Sequence, residues 1–257
     1  RAVVEDGDPE SAGIASAIER ELELARRADL VFAVSPGELD AMTSRGVEQA
    51  RRLGHAVTAG ETTTPFAKRS GLLFVGNLDE DGSPNVDSLA WFSRQVLPHL
   101  PASVVLEVVG SCLSVQARGL ESERIRLHGR VEDLEAFYSR ARLFVAPTRF
   151  SAGLPIKVLD AAARGVPVVA TQLLERQLGW ESGVELLSAP RTDAREFAAL
   201  VTDVYRDEAL WQRLRQAARD RVLRDCSPRR FANDLLSALA AIDRPAPRPP
   251  TSESAAS

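Results

Sequence analysis

The residues whose types and spacing could do chemistry are concentrated in RFSAGLPIKVLDAAARGVPVVAT, Arg149 to Thr171. A polar loop broken by Gly153 runs into a segment of small apolar residues that carries Lys157 and Asp160. A helix starting just after Gly153 would leave its first N–H groups without intrahelical partners, and its macrodipole would add partial positive charge there. Glycine lets a large anion approach the backbone, and Pro155 suits a first turn where its missing N–H is not needed. Together these make an anion pocket of the kind that holds a phosphate. Lys157 would add a full positive charge, and Arg149 could reach the same anion from the preceding strand. Asp160, three residues further on, cannot bind phosphate, but its carboxylate could accept hydrogen bonds from a pair of hydroxyls such as those of a ribose. A phosphate beside a hydroxyl-rich ring is a nucleotide. The same residues also allow a plainer reading, in which Lys157 and Asp160 form a surface ion pair worth less than about 1 kcal/mol and Gly153 is an ordinary turn residue.

A regular rhythm surrounds this stretch. Strand GLLFVG leads through NLDEDGSPN to helix VDSLAWFSRQVLPHL, and strand SVVLEVVG leads to a helix expected to start near Ser111. RIRLHG precedes helix DLEAFYSRA, RLFVAP precedes the helix of Lys157, and VPVVAT is followed by an expected strand GVELLSA. Near-continuous apolar strands alternating with helices predict an α/β fold: a doubly wound, Rossmann-like parallel sheet from about residue 70 to 242. Ligands of such sheets bind beyond the carboxyl ends of the strands, near the point where strand order reverses. Gly76, Asn77, Gly110, Ser111, His128 to Asp133, Arg149 to Asp160 and Thr171 are therefore the candidates. The last third reads as three helices broken at Arg206-Asp207 and Ser227-Pro228.

Residues 1–60 hold a helix IASAIERELELARRA, a strand DLVFAVS and a helix PGELDAMTSRG capped by Ser35. This is too little for a doubly wound domain of its own and is expected to be the trailing end of one, joined by a loop-rich linker RRLGHAVTAGETTTPFAKRS. Residues 243–257, rich in Pro, Ser and Ala, are expected to be disordered. Opening on Arg1, with Met42 the one methionine, the chain is expected to be cut from something longer.

The 257 residues carry a formal net charge of -4, which argues against nucleic acid as the main partner. No run of about 18 apolar residues or signal segment occurs, and two distant cysteines, Cys112 and Cys226, fit a reducing, cytoplasmic setting. His128 reads as a loop or cap histidine. Arg124 and Arg126 read as a solvated strand face, and Trp91, Phe92, Phe137 and Tyr138 as core. The acidic run at Asp79 to Asp81 reads as a solvated turn, with no further ligands spaced to make it a metal site.

The segments from Gly71 to Pro101, from Ile125 to Thr171 and from Leu210 to Pro228 together resemble the C-terminal domain of the group 1 (family 4) glycosyltransferases of GT-B fold. RRADLVFAVSPGELDAM resembles the closing helix and strand of that fold's N-terminal domain, so the resemblance covers most of residues 15 to 242. It implies a retaining transferase, in polysaccharide or glycoconjugate synthesis, that moves a sugar from a nucleoside diphosphate sugar to a carbohydrate or lipid-linked acceptor. Neither a metal nor a cofactor beyond the donor is implied; acceptor contacts fall largely in the N-terminal domain, and peripheral membrane contact stays open. By position, Asp160 matches the second glutamate of the family's paired-glutamate motif, which holds the ribose. The backbone at Gly153 and Leu154 matches the turn that receives the diphosphate. Lys157 matches a lysine at the phosphate or donor sugar, Gly129, Arg130 and Val131 the loop along the base, and Gly76 the glycine after the first strand. Three positions depart from the pattern. Ala152 stands where the first glutamate is found, Asp160 is an aspartate, and Asn77 replaces an arginine near the phosphates. These departures keep two alternatives open: a nucleotide-sugar-binding module that has lost its chemistry, and a GT-B epimerase with His128 as its visible acid/base candidate.

Overall fold

The structure, a computed structural model, describes residues 9–60, 64–151 and 153–242. The expected disordered tail, Ala152 and part of the linker lie outside the described residues.

Among the described residues, eight strands form two parallel sheets. The larger contains β3 (Ser70–Val75), β4 (Leu106–Val109), β5 (Ile125–Leu127), β6 (Ala141–Ala146), β7 (Val168–Thr171) and β8 (Leu187–Ala189), in the order β5-β4-β3-β6-β7-β8. The chain thus winds outward from β3 in one direction, then returns to lay β6 against its other side. Order reverses between β3 and β6, whose register pairs Leu72 with Leu143 and Leu73 with Phe144. This is the doubly wound α/β arrangement that the alternation predicted.

Its strands are buried on both faces. On one face α3 (Pro84–Trp91), a π-helical turn at Phe92–Val96, α8 (Ala194–Arg206) and the start of α9 (Glu208–Asp225) cover Leu72, Phe74, Leu106 and Val145. Here Trp91 and Phe92 both meet Phe197 edge-on, as core residues. On the other face α5 (Glu135–Arg140), α6 (Ile156–Ala163) and the end of α9 cover Leu73, Phe144 and Val168. Ala161, Ala162 and Ala163 are fully buried there, which is why a helix of small side chains is needed against the sheet. Buried Val57 of the linker joins this face, its N–H donating to the Cys226 carbonyl at 2.8 Å.

The smaller sheet pairs β1 (Val31–Ala33) with β2 (Ala50–Arg52). Beside it are α1 (Pro9–Arg27) and α2 (Pro36–Thr43), the latter capped by the Ser35 hydroxyl accepting from Glu38 N–H. The chain continues from α9 into α10 (Pro228–Ile242).

Several expected elements differ in extent. The helix placed near Ser111 is α4 (Val115–Arg118), capped by Ser114, because the Asp79 carboxylate accepts from Leu113 N–H and holds the preceding loop open. The strand expected from Gly183 is only β8, since Gly183 and Glu185 instead hydrogen-bond within a turn. The acidic run lies in an exposed turn as expected, and two of its carboxylates also accept from the segment after β4: Asp79 from Leu113 N–H, and Asp81 from the Ser114 hydroxyl and Gln116 N–H. Arg124 is not a solvated face, because its guanidinium donates to the carbonyls of Leu100, Pro101 and Val104.

The amino ends of β3 and β6 are locked by arginine. Arg69, 1% exposed, donates to the carbonyls of Thr64, Tyr138 and Ala141, and burial lowers its pKa to about 10. Arg142 lies 4.0 Å over the Phe66 ring and donates to the Arg69 carbonyl. Trp211, fully buried, meets Phe66 edge-on and donates its indole N–H to the Arg142 carbonyl at 2.6 Å. Trp211→Ala is expected to lose about 3–5 kcal/mol of stability, through an unfilled cavity and an unpaired carbonyl, as read by denaturant unfolding. A loss below about 1 kcal/mol would show that this lock is dispensable.

Candidate functional site

The reversal of strand order puts the carboxyl ends of β3 and β6 side by side with nothing between them, and a cleft opens there. Its volume is ≈ 410 Å³, and its wall includes Gly76, Asn85, Thr148, Gly153, Leu154 and Lys157. Gly110, after β4, has φ 144°, and a Cβ there would lie 1.9 Å from the Gly76 carbonyl oxygen, so only glycine lets the loops after β3 and β4 meet. Gly153 has φ 83° in the left-handed region and turns the chain from β6 into α6. A second cavity, ≈ 460 Å³, is bordered by Arg51, Arg52, Asp225, Arg230 and Asp234; none of its lining residues belongs to the larger sheet, and Arg230 and Asp234 pair with each other.

Two helices begin at the cleft. The Ser83 hydroxyl caps α3, with Pro84 at its first turn and Asn85 following. The other, α6, starts at Ile156 and has no side-chain cap. Pro155 stands just before the helix, where its missing N–H leaves no extra orphan donor.

Lys157, in the first turn of α6, is the ionisable residue of the cleft wall. Its Nζ donates to Asn85 Oδ1 at 2.7 Å and lies 5.1 Å from the centre of the Phe74 ring. The residue keeps some surface on the cleft, but protein atoms surround the ammonium, and this desolvation lowers its pKa from 10.5 to about 8. Among the described residues no carboxylate pairs with it. The plainer reading of a Lys157–Asp160 ion pair is thereby removed.

Of the other predicted residues, Gly76, Gly153 and Leu154 line the cleft. Arg149 does not: its guanidinium is held by both carboxylate oxygens of Asp87 on α3, which take up the charge expected to reach an anion. Asp160 is also outside the wall. Its Oδ1 accepts from Arg164 at 3.1 Å, one turn along α6, and Arg164 is in turn held by Glu135. Asn77 is exposed and closes a local turn, accepting from Asp79 N–H at 2.8 Å and donating to the Asp79 carboxylate. Gly129, at φ 65°, accepts from Gly110 N–H at 2.9 Å, so the loop after β5 is tied to the same sheet edge. Arg130 is exposed there, and Val131 packs on the α5–α6 core rather than on the cleft. His128 pairs with Glu107 on β4 and stacks edge-on with Phe137, away from the cleft wall.

Two polar wall residues were not foreseen. Thr148 is 3% exposed, and its hydroxyl has no hydrogen-bond partner among the described residues. Asn85 holds Lys157. Its signal in the sequence was an asparagine inside the first turn of a capped helix, a place where its side chain competes with the backbone unless it has a partner elsewhere.

Residues 69–207 match the family model of glycosyl transferases group 1, more than half of the chain, and the chain belongs to that family. No curated protein matches it. Among solved structures, S. aureus TarM, in a complex with UDP, superposes with a TM-score of 0.74 at 13% identity, over 93% of this chain and 49% of that one. Anabaena HepE in complex with UDP-glucose gives 0.69 at 17%, over 88% and 68%. Sucrose-phosphate synthase from Thermosynechococcus elongatus gives 0.69 at 18%, over 89% and 62%. At these identities the likeness is one of fold. The chain spans about half the length of TarM. No described helix is long and apolar enough to cross a membrane.

The depressed pKa of Lys157 has a consequence for stability. Between about pH 8 and 10.5 the unfolded chain binds the proton that the folded chain has released, so stability rises with pH across that window. The full burial cost is present below it. Lys157→Met is therefore expected to be more stable than the parent at pH 7, and to lose that advantage as the pH approaches 10.5, measured by urea unfolding at both values. A gap independent of pH would show that the ammonium is not desolvated.

Proposed function

We propose that the chain is the donor-binding part of a retaining glycosyltransferase that takes a sugar from a nucleoside diphosphate sugar. The observation that carries this reading is the desolvated Lys157 ammonium, which has no counter-carboxylate among the described residues, on the wall of a cleft where two helices begin. Such a charge is stabilised by an anion, and the diphosphate of a donor supplies one. Family membership and the UDP and UDP-glucose bound by TarM and HepE support the donor class.

In this reading the diphosphate rests against the backbone at Gly153 and Leu154, with Gly76 opposite. Glycosyl transfer breaks the bond between the anomeric carbon and the diphosphate oxygen, and negative charge grows on the leaving group. Lys157 and the first turn of α6 stabilise that charge as it forms, in a site already organised for it. No metal is required. The base lies along Gly129, Arg130 and Val131. Asp160, oriented by Arg164 through Oδ1, offers Oδ2 to the ribose hydroxyls. A carbohydrate or lipid-linked acceptor enters from the side that the larger relatives build with their additional residues.

A second reading, a nucleotide-sugar-binding module without turnover, is favoured by one observation: Asn77, at the family's arginine position, is committed to its local turn.

Calorimetric titration of the chain with UDP, GDP and their sugars tests the donor reading. Lys157→Ala is expected to weaken binding by at least about tenfold, roughly 1.4 kcal/mol. Asp160→Asn should weaken nucleoside diphosphates while leaving inorganic pyrophosphate unchanged. Absence of binding by the parent chain to every member of the panel would overturn the reading, and binding that persists in Lys157→Ala would displace the diphosphate from α6.

A further inference from the structure

Asn85 joins three segments that the chain brings together from far apart. Its Oδ1 accepts from Lys157 Nζ at 2.7 Å, and its Nδ2 donates to the Asn77 carbonyl at 3.1 Å. These two partners leave no choice about which end of the amide faces which way, because an ammonium only donates and a carbonyl only accepts. The side chain lies directly over Gly76, where a Cβ would come within 2.8 Å of Asn85 Cγ. The glycine after β3 therefore makes room for the asparagine, and the asparagine fixes the lysine.

The type of residue is informative. A carboxylate at the same distance would hold the ammonium more strongly, but would cancel its charge and repel an incoming diphosphate. An amide supplies the acceptor without the charge. We infer that Asn85 is a positioning residue, aligning the Lys157 ammonium for the donor diphosphate with one hydrogen bond while leaving its other N–H donors and its full charge to the anion. This rests on the donor reading of the cleft.

The surroundings agree. From α3 the nearest acid is Asp87, which is taken up by Arg149; on α6 it is Asp160, which is taken up by Arg164. Val75 from β3, Thr148 and Ser151 from the loop after β6, and Leu174 from α7 (Gln172–Leu178) complete the wall and carry no charge. Burial alone depresses the ammonium.

The chain contains two lysines, Lys68 and Lys157, so isotope labelling of lysine side chains gives two NMR titrations, with exposed Lys68 as internal control. Asn85→Ala removes an acceptor from the charged form and should move the Lys157 titration to lower pH. Asn85→Asp adds an anion and should move it to higher pH. Both should weaken pyrophosphate and UDP in calorimetry by about tenfold or more. Opposite shifts in titration with the same loss of affinity are not what a loosened fold produces. If neither variant moves the Lys157 titration, or if both bind pyrophosphate as the parent does, the role of Asn85 is overturned. The donor reading then stands as long as Lys157→Ala still loses pyrophosphate. A parent chain that binds neither pyrophosphate nor UDP overturns both.

Discussion

An ammonium surrounded by protein, with no carboxylate among the described residues to balance it, is the arrangement around which this structure is organised. Most other buried or half-buried cations here have been given partners. Arg149 has Asp87, Arg164 has Asp160 and Glu135, and Arg221 has Glu185 and Asp225. Lys157 has one neutral acceptor and an aromatic ring. Desolvating a charge without compensation is unfavourable. The cleft, the two helix starts and the glycine contacts all serve to put that one charge at the seam between β3 and β6.

The two ends of the same strands show how context decides what a cation does. At the amino ends Arg69 is buried and Arg142 half-buried, and their planar forks donate to backbone carbonyls and lie against Phe66 and Trp211. They hold the sheet together and are saturated. Toward the carboxyl ends the β3–β6 pairing stops at Leu73 and Phe144, and among the described residues Lys157 Nζ has one hydrogen bond, to Asn85. Parallel strands make this asymmetry unavoidable, because every strand delivers its carboxyl end to the same edge.

Much of the fold was legible. The alternation of apolar strands and helices predicted the doubly wound sheet, and the breaks at Arg206-Asp207 and Ser227-Pro228 fall between the observed helices. Lys157, Gly153, Leu154 and Gly76 were also legible, because a glycine turn, a helix start and a lysine at fixed spacing are local properties. Arg149 and Asp160 were assigned to a ligand on sequence position, and the structure gives each of them a protein partner, Arg149 through both Asp87 oxygens and Asp160 through Oδ1 alone. Those partners, Asp87 and Arg164, compete for the same charge, and the first is 62 residues away in sequence. Arg124 looked solvated for the same reason. Its acceptors are backbone carbonyls of a loop 20 to 24 residues earlier, which carry no signature in composition.

Periodicity, capping and turn chemistry act over a few residues, so the sequence by itself determined the sheet, the helix that bears Lys157 and the glycines that bend the chain into it. Which charges cancel and which remain depends on separations of a few ångströms between segments that are remote along the chain. The Asp160–Arg164 pair, four residues apart, is local; only the tertiary structure decided that Arg149 is neutralised and that an asparagine rather than an acid reaches Lys157. Coulomb and hydrogen-bond energies fall off over such distances, and no local pattern encodes them.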